Sequence, residues 1–256
     1  MPGVCENYWR RLDPVVAASF ETAPPSTVNL AHYRALLLQA PNRHNISMPP
    51  GIIPLFPLRV VVFPRTPLPL HIFEERYKEM VGGAIRDQSE FGIVLAHENG
   101  IGNAGCTVKV EKLLQMYPDG RMDILTRGQR RFEIVTINEE KDYLQAEVSF
   151  FDDEDAAATS TELRAQALLY YKDLLMLPVS QALAEPDMAD RQLSFQLAQA
   201  LPDLDFLSSL LRARSEDARL KQLNHYLSEY IPRQRTIERL KSLAPTNGFG
   251  GKPAGL

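Results

Sequence analysis

Cysteine is scarce in this sequence, and the histidines show no metal-binding pattern. Cys5 and Cys106 are the only cysteines in 256 residues. A single disulfide between them stays open, but two thiols in a chain of this length fit a reducing cytoplasm better than a disulfide-stabilised secreted fold. Histidine pairs at metal-ligand spacing are missing, so we predict no metal centre. The histidines are His32, His44, His71, His97 and His225.

Long apolar runs and a strong charge of one sign are also absent. No apolar run approaches the ~18 residues that a membrane helix needs. Arg10 and Arg11 precede the apolar piece Val15–Phe20, which is too short for a signal peptide and is bounded by Glu21. The net charge of −4 gives no overall attraction to nucleic acid or acidic lipid. These absences predict a cytoplasmic protein without a membrane segment.

The motifs of nucleotide-dependent and nucleophilic enzymes are missing. The chain has no G-x-x-x-x-G-K-[ST] phosphate loop, and no motif supplies a nucleophile with its base. Gly100, Gly102 and Gly105 spell G-x-G-x-x-G after a predicted strand, but β alternation follows where a dinucleotide fold requires a helix. We therefore expect turn-forming glycines, no catalytic residues and no cofactor.

Clusters of charged or titratable side chains do not define a site either. Neighbouring carboxylates in Glu74–Glu75 and Glu139–Glu140 do not share a face, so solvation explains them. His71 and His97 stand beside apolar positions and fit structural histidines better than a base or a ligand. The basic segment at residues 233–241 lacks the interleaved aromatic side chains of a stacking platform. No binding residue is assigned from the sequence.

The most informative stretch runs from Ile52 to Ile85. Prolines at positions 54, 57, 64, 67 and 69 punctuate short apolar runs. Because proline cannot donate to a ladder, these pieces are expected at sheet edges or strand ends, with Val60–Phe63 as strand formers. The spacing then becomes helical. It predicts a helix from about Glu74 to Asp87 that packs Phe73, Tyr77 and Val81 onto the barrel.

Three runs in this stretch carry a resemblance to a known family. They read P-L-F-P-L-R from Pro54, V-V-V-F-P from Val60 and P-L-H-I-F-E-E-R-Y from Pro69. In this order they resemble the opening of the N-terminal, substrate-binding domain of Lon proteases. On these runs alone, a generic proline-rich hairpin is the alternative.

A β-meander follows and carries a second signature. Thr107–Tyr117 is predicted as a bulged strand, and Pro118–Gly120 as a turn in which glycine accepts a positive φ. The return strand is expected to break at Arg127–Arg130. The run P-D-G-R-M-D-I-L-T-R-G-Q-R-R-F-E-I resembles the second signature of the Lon domain. Its matching positions are Gly128, Arg131, Phe132 and Ile134.

The rest of the chain is predicted to be helical. Asp152–Asp155 fits a solvated boundary, and Thr159 with Glu162 fits a capping box for the next helix. The order of the leucine-rich helices also resembles the Lon domain, so the resemblance covers about residues 52–230. We expect residues 1–47 to be a flexible extension, 48–152 the barrel, 153–243 a helical subdomain of the same domain and 244–256 a disordered tail. The extension could instead be a partner-binding arm, and either Met1 or Met48 could be the true start.

The resemblance implies an α+β fold, in which a PUA-like mixed β-barrel with an inserted helix precedes a C-terminal α-helical bundle. It also implies a stand-alone, non-enzymatic module that binds polypeptide, either protein substrates or a protease or chaperone partner. Apolar residues on exposed sheet edges could support such binding by strand addition or by capture in a pocket.

Two other classes of function stay open. PUA-like barrels include RNA binders, although that is an analogy of fold and the missing basic surplus opposes it. An enzyme acting on a small molecule is the third class. A hydrophobic groove between barrel and bundle would favour peptide, a basic groove RNA, and a deep pocket with convergent carboxylates or histidines an enzyme. The client and the oligomeric state are not predicted.

Overall fold

The structure, a computed structural model, describes residues 51–154, 159–177 and 185–243. These residues form a mixed sheet of six strands and five helices, which confirms the predicted α+β class. The strands are β1 (Ile52–Leu58), β2 (Pro67–Ile72), β3 (Phe91–His97), β4 (Gly100–Met116), β5 (Met122–Asn138) and β6 (Gln145–Phe151). The helices are α1 (Glu75–Asp87), α2 (Thr161–Leu175), α3 (Leu193–Ala198), α4 (Leu204–Arg212) and α5 (Glu216–Leu243). The predicted extension (1–47) and tail (244–256) lie outside the described residues.

The strands pair in the order β2-β5-β4-β3-β1-β6, and a further β5–β6 pairing closes five of them into a ring. β1 and β3 run parallel, whereas the other neighbours are antiparallel. β5 is long enough to pair with β2 through its first half and with β6 through its second. Among the described strands, β2 alone lies outside the ring.

The prolines of β1 lie within the ring and not on an edge strand, which corrects the expectation for this strand. β6 pairs with Ile52–Pro54 and β3 with Leu55–Leu58, so each half of β1 has one ladder partner. A proline nitrogen can then face the unpaired side without removing a ladder hydrogen bond. β2, with Pro67 and Pro69, does lie at an edge.

The interior of the ring is filled by Phe132, which is fully buried. A Cβ added to Gly92 would lie 2.7 Å from the Phe132 ring, and one added to Gly105 would lie 2.6 Å from it. Glycine is required at these positions because the aromatic ring occupies the space of a side chain. The other buried members of this cluster are Leu55, Val94, Ala146 and Val148.

Residues Val60–Phe63 form a connecting segment, so the expectation of a strand there is wrong. Phe63 is buried and stacks on Phe195 of α3, with ring centroids 4.7 Å apart. The Phe63 carbonyl passes so close to Gly128 that a Cβ there would collide with it. These apolar residues fill the junction between barrel and helices, where tertiary packing overrides strand propensity.

Helix α1 packs on the barrel through a face that includes Tyr77 and Val81. Tyr77 is 7% exposed and stacks on Phe56 with centroids 4.0 Å apart. Phe73 does not share this face, contrary to the expectation, and it is 45% exposed. The helix begins at Glu75, so Phe73 lies in the preceding segment, where helical spacing does not apply.

Two local expectations for the sheet and one for a cap need correction. β5 is continuous, so the predicted break at Arg127–Arg130 is absent; a register shift opposite Thr107 absorbs the irregularity instead. β4 is bulged as predicted, but it begins at Gly100. The side chain that caps α2 is Ser160, which accepts a hydrogen bond from the backbone nitrogen of Leu163 at 3.4 Å.

A buried ion network joins the barrel to the helices. The side chains of Arg131 on β5 and Arg219 on α5 are fully buried. Arg131 donates to Asp153 at 2.7 Å, and Arg219 donates to both oxygens of the same carboxylate at 2.6 Å. Arg219 also donates to Glu216, which in turn accepts hydrogen bonds from Ser194. The network therefore holds β5, the segment after β6, α3 and α5 together.

Asp153 corrects the expectation that the acidic run after β6 is only a solvated boundary. Its side chain is 19% exposed, whereas the neighbouring Asp152 is exposed. Burial alone would raise the pKa of Asp153. Hydrogen bonds and positive charge from Arg219 and Arg131 outweigh burial and lower that pKa to about 2. The carboxylate therefore stays ionised at neutral pH and balances two buried guanidinium groups.

Candidate functional site

His71 is held by a buried polar network. Its Nδ1 lies 2.6 Å from Asp123 Oδ1, and Asp123 Oδ2 accepts a hydrogen bond from the Tyr117 hydroxyl at 2.8 Å. Burial and this contact with the carboxylate raise the pKa of Tyr117 to about 12, so the phenol stays protonated. The His71 and Asp123 side chains are 5% and 7% exposed. The arrangement ties β2 to β5 and fits the structural role expected for this histidine.

The carboxylate pairs do not converge on a site. Glu74 forms an ion pair with Arg76 at 2.8 Å, and Glu75 forms one with Lys78 at 2.8 Å. Exposed pairs of this kind contribute about 0–1 kcal/mol. Both residues of Glu139–Glu140 are exposed in the turn between β5 and β6.

Cys106 is a core residue. It is fully buried, and burial raises the pKa of its thiol to about 12. A thiol that stays protonated is a poor nucleophile and a poor metal ligand. Cys5 lies outside the described residues. In the described part of the chain, no group of three or more histidine, cysteine, aspartate or glutamate side chains could hold a metal ion.

The glycine motif does not lead into a helix. Gly100 opens β4 with φ +150°, just after the β3–β4 turn, and the residues after Gly105 continue as a strand. The helix N-terminus that would hold a pyrophosphate is therefore missing at this place. Glycine is needed at position 105 because the Phe132 ring occupies the space of a side chain. The motif alone does not reveal this reason.

No helix among the described residues is long and apolar enough to cross a membrane.

A groove opens between the β3–β4 turn and the start of α4. Its volume is about 380 Å³. Asp203 positions one wall, because its side chain accepts a hydrogen bond from the backbone nitrogen of Phe206 at 2.9 Å and caps α4. The lining side chains come from three distant parts of the chain. They are Arg59, Leu95, Ala96, His97, Glu98, Pro202, Leu204 and Asp205.

The polar groups of this groove carry both signs of charge. Arg59, Glu98 and Asp205 are exposed, and within the described residues no hydrogen bond or ion pair engages their side chains. His97 is also exposed. Leu95 is buried and Leu204 half-buried, and both contribute apolar carbon to the lining. The groove is neither a basic cleft nor an enclosed pocket with convergent catalytic groups.

The four positions of the second sequence signature lie together on β5 and have distinct structural roles. Gly128 allows the Phe63 backbone to pass, Arg131 joins the ion network, and Phe132 fills the ring. Ile134 packs half-buried against the same interior. The signature therefore marks the fold. It does not mark the groove, of whose residues the sequence analysis had named only His97 and, as the end of the run P-L-F-P-L-R, Arg59.

Comparison with known proteins gives a consistent result. A family model described as the ATP-dependent protease La (LON) substrate-binding domain matches residues 52–229. The Lon protease of Parabacteroides distasonis is 29% identical over 143 residues, which are 52% of this chain and 17% of that protein. The Lon protease of Lawsonia intracellularis is 33% identical over 131 residues, covering 48% of this chain and 15% of that protein. The chain thus spans less than a fifth of the length of these relatives.

Solved structures agree with the sequence comparison. A Lon N-terminal domain protein from Xanthomonas campestris superposes with a TM-score of 0.56 at 26% identity, covering 67% of this chain and 96% of that one. The N-terminal domain of the Lon protease of the Mycobacterium avium complex superposes with a TM-score of 0.52 at 18% identity. That match covers 70% of this chain and 99% of the other, and at this identity it supports the fold alone.

Proposed function

Because the chain belongs to the family of the ATP-dependent protease La (LON) substrate-binding domain, we propose that it is a non-enzymatic module that binds polypeptide. The family description names a domain that holds the substrate of a protease, and such a substrate is a protein. The proposed ligand is an unfolded segment of a client protein. An exposed segment of a protease or chaperone partner would present the same extended polypeptide and is the second possible ligand.

The groove beside the β3–β4 turn is the observation that carries this proposal. An extended polypeptide presents apolar side chains together with charges of both signs. A concave surface with the same mixture is therefore its natural complement. The groove offers apolar carbon from Leu95 and Leu204 together with the charged side chains of Arg59, Glu98 and Asp205. Its volume of about 380 Å³ is enough for a few side chains of a peptide.

The same charges weigh against RNA as the ligand. Binding to a phosphate backbone depends on lysine and arginine side chains. The groove contains one arginine and two carboxylates, and the whole chain has a net charge of −4. A polyanion would therefore meet repulsion both locally and at long range.

The test is the binding of one protein in two states. Lysozyme that has been reduced and carboxyamidomethylated is permanently unfolded, whereas native lysozyme has the same sequence and stays folded. We expect the full chain to bind the fluorescently labelled unfolded form with saturation, measured by anisotropy at ~150 mM salt, where exposed charges are largely screened. Native lysozyme should not bind. Equal binding of the two forms would point to general charge attraction and would contradict the proposal, as would binding of neither.

Exposed groove residues can be changed without loss of the fold. The double variant Arg59→Ala/Glu98→Ala removes one charge of each sign, so the net charge is unchanged. We expect it to bind unfolded lysozyme several-fold more weakly. Glu79→Ala, on the exposed side of α1, is the control and should bind like the parent chain. If the double variant binds unchanged, the groove is not part of the binding surface.

A further inference from the structure

At one end of the ring the first residues of β4 and the last residues of β5 are not paired with each other. The β4–β5 ladder ends at the pair Ala104–Glu133. β4 nevertheless begins four residues earlier, at Gly100, and β5 continues to Asn138. We call these two facing edges, Gly100–Asn103 and Ile134–Asn138, the open seam.

The glycines along this part of β4 differ in their surroundings. For a Cβ added to Gly102, the three nearest heavy atoms belong to Leu95 and Ala104, at 3.6–3.8 Å. One added to Gly100 would meet nothing. At Gly105, in contrast, the Phe132 ring of β5 lies 2.6 Å from the added atom. The seam therefore opens within a few residues of the point where the ring is tightly closed.

Each strand of the open seam has one edge whose backbone groups are not paired with a neighbouring strand. Ile134–Asn138 pairs with β6 on its other edge, and the start of β4 pairs with β3. An edge strand of this kind presents unpaired N–H and C=O groups, which another extended chain can complete. Side chains on this part of β5 are accessible, since Val135 is 60% and Ile137 44% exposed.

Apolar side chains at both edges of the seam pack on the cluster inside the ring, and we call this group the apolar mouth. Four aliphatic residues pack half-buried against its interior. They are Ile53, Ile101, Ile134 and Leu144. A strand laid along β5 would alternate its side chains, so that every second one meets this apolar mouth and the others face solvent.

The charges at this end of the ring are mainly negative. Glu98 is exposed in the β3–β4 turn, and Glu139, Glu140 and Asp142 are exposed in the β5–β6 turn. Lys141 is the basic residue of that turn, and its amino group already donates to the Tyr143 hydroxyl at 3.0 Å. A segment with lysine or arginine at its ends complements this pattern.

We propose that the open seam is a strand-addition site, where an extended segment with alternating apolar residues and basic ends pairs with Ile134–Asn138 of β5. This inference rests on the proposed function and adds to the groove a second binding surface and a mode of binding. The backbone supplies the main hydrogen bonds, the apolar mouth accepts every second side chain, and the acidic turns select basic flanks. Such recognition tolerates many sequences, because backbone groups are common to all polypeptides.

The probe is a capped eight-residue peptide, Lys-Val-Thr-Val-Thr-Val-Gln-Lys, labelled for anisotropy. Val135→Ser/Ile137→Ser should weaken its binding about tenfold or more. Leu114→Ser is the matched control, because Leu114 on β4 is 43% exposed, like Ile137, but lies at the other end of the barrel. The control should bind like the parent chain, and thermal melts establish that all variants are folded.

The backbone part of the proposal has its own test. N-methylation of alternate residues removes the N–H groups from one edge of the peptide. Of the two alternately methylated peptides, one should lose binding and the other should keep it, because only one edge pairs with β5. In hydrogen exchange read by mass spectrometry, segment 134–138 should become protected when the unmodified peptide is added.

The outcomes separate the two proposals. If the parent chain and the Val135→Ser/Ile137→Ser variant bind unfolded lysozyme equally well, the open seam is not the binding site. The proposal that the chain binds polypeptide then still stands. Strand addition is also overturned if both N-methylated peptides bind as tightly as the unmodified peptide. If neither unfolded lysozyme nor the peptide binds the parent chain, the proposed function fails and the seam fails with it.

Discussion

Replacing Asp153 by asparagine should destabilise the protein strongly, although this residue belongs to an acidic run after the last strand. The substitution keeps the shape of the side chain and removes its charge. Arg131 and Arg219 are both fully buried and share this carboxylate, so the change leaves Glu216 to balance two guanidinium groups. Breaking a buried pair by neutralising one partner typically costs about 3–5 kcal/mol.

The pKa of Asp153 gives a second estimate. A lowering from 3.8 to about 2 corresponds to roughly 2 kcal/mol of stability at neutral pH. The folded pKa is lower than the unfolded one, so this contribution is complete above about pH 5 and is lost as the pH falls through 2. We therefore expect Asp153→Asn to cost about 3 kcal/mol at pH 7, or a melting temperature roughly 6–12 °C lower for a domain of this size.

The assay is urea unfolding of the two proteins at pH 7 and again at pH 3. The difference in stability between parent and variant should fall by about 1 kcal/mol between these pH values, because half of the charge contribution is gone at pH 3. Asp152→Asn is the control: the residue is exposed, and the change should stay within about 0.5 kcal/mol. If Asp153→Asn and Asp152→Asn unfold at the same urea concentration, the network does not hold barrel and helices together.

Three further predictions follow from the fold and the family. Tyr77→Ala should cost about 3–5 kcal/mol in urea unfolding, whereas Phe73→Ala, at a site 45% exposed, should cost about 1 kcal/mol or less; similar losses for both would show that the α1 face is misassigned. A protein that starts at Met48 should melt within about 2 °C of the full chain, and a larger drop would mean that residues 1–47 contribute to its stability. The purified chain should neither hydrolyse ATP nor degrade casein, and turnover that persists through rigorous purification would contradict the non-enzymatic proposal.

The elements that the sequence predicted well are those in which local pattern and tertiary role agree. The helical spacing around Tyr77 and Val81 placed α1 to within a residue, because its apolar stripe is also its buried face. The two signatures resembled the right family, and in the second of them Gly128 and Phe132 meet steric demands that few residues satisfy. A steric demand of this kind restricts the residue type at one position of the chain. A sequence pattern can therefore reveal it.

The failures come from contacts between distant parts of the chain. Val60–Phe63 has strand-forming side chains, but the junction with α3 uses them as core. Asp153 stands in an acidic run, and its role depends on Arg219, which lies 66 positions away. The groove combines residues from three separate segments, so no local spacing marks it.

The open seam could not be predicted for a related reason. Alternation in a strand shows that the strand exists, but not where its ladder with a neighbour ends. Val135 and Ile137 look like ordinary strand residues in the sequence, and only the structure shows that they are exposed.

Calorimetric titration of the full chain with unfolded lysozyme, beside a single-stranded RNA of similar length, tests the central claim most directly. At ~150 mM salt we expect saturable binding of the polypeptide with a negative heat-capacity change, the mark of apolar surface burial, and little heat with RNA. Tight binding of RNA together with no binding of unfolded lysozyme would contradict the account and would make the chain a nucleic-acid-binding module.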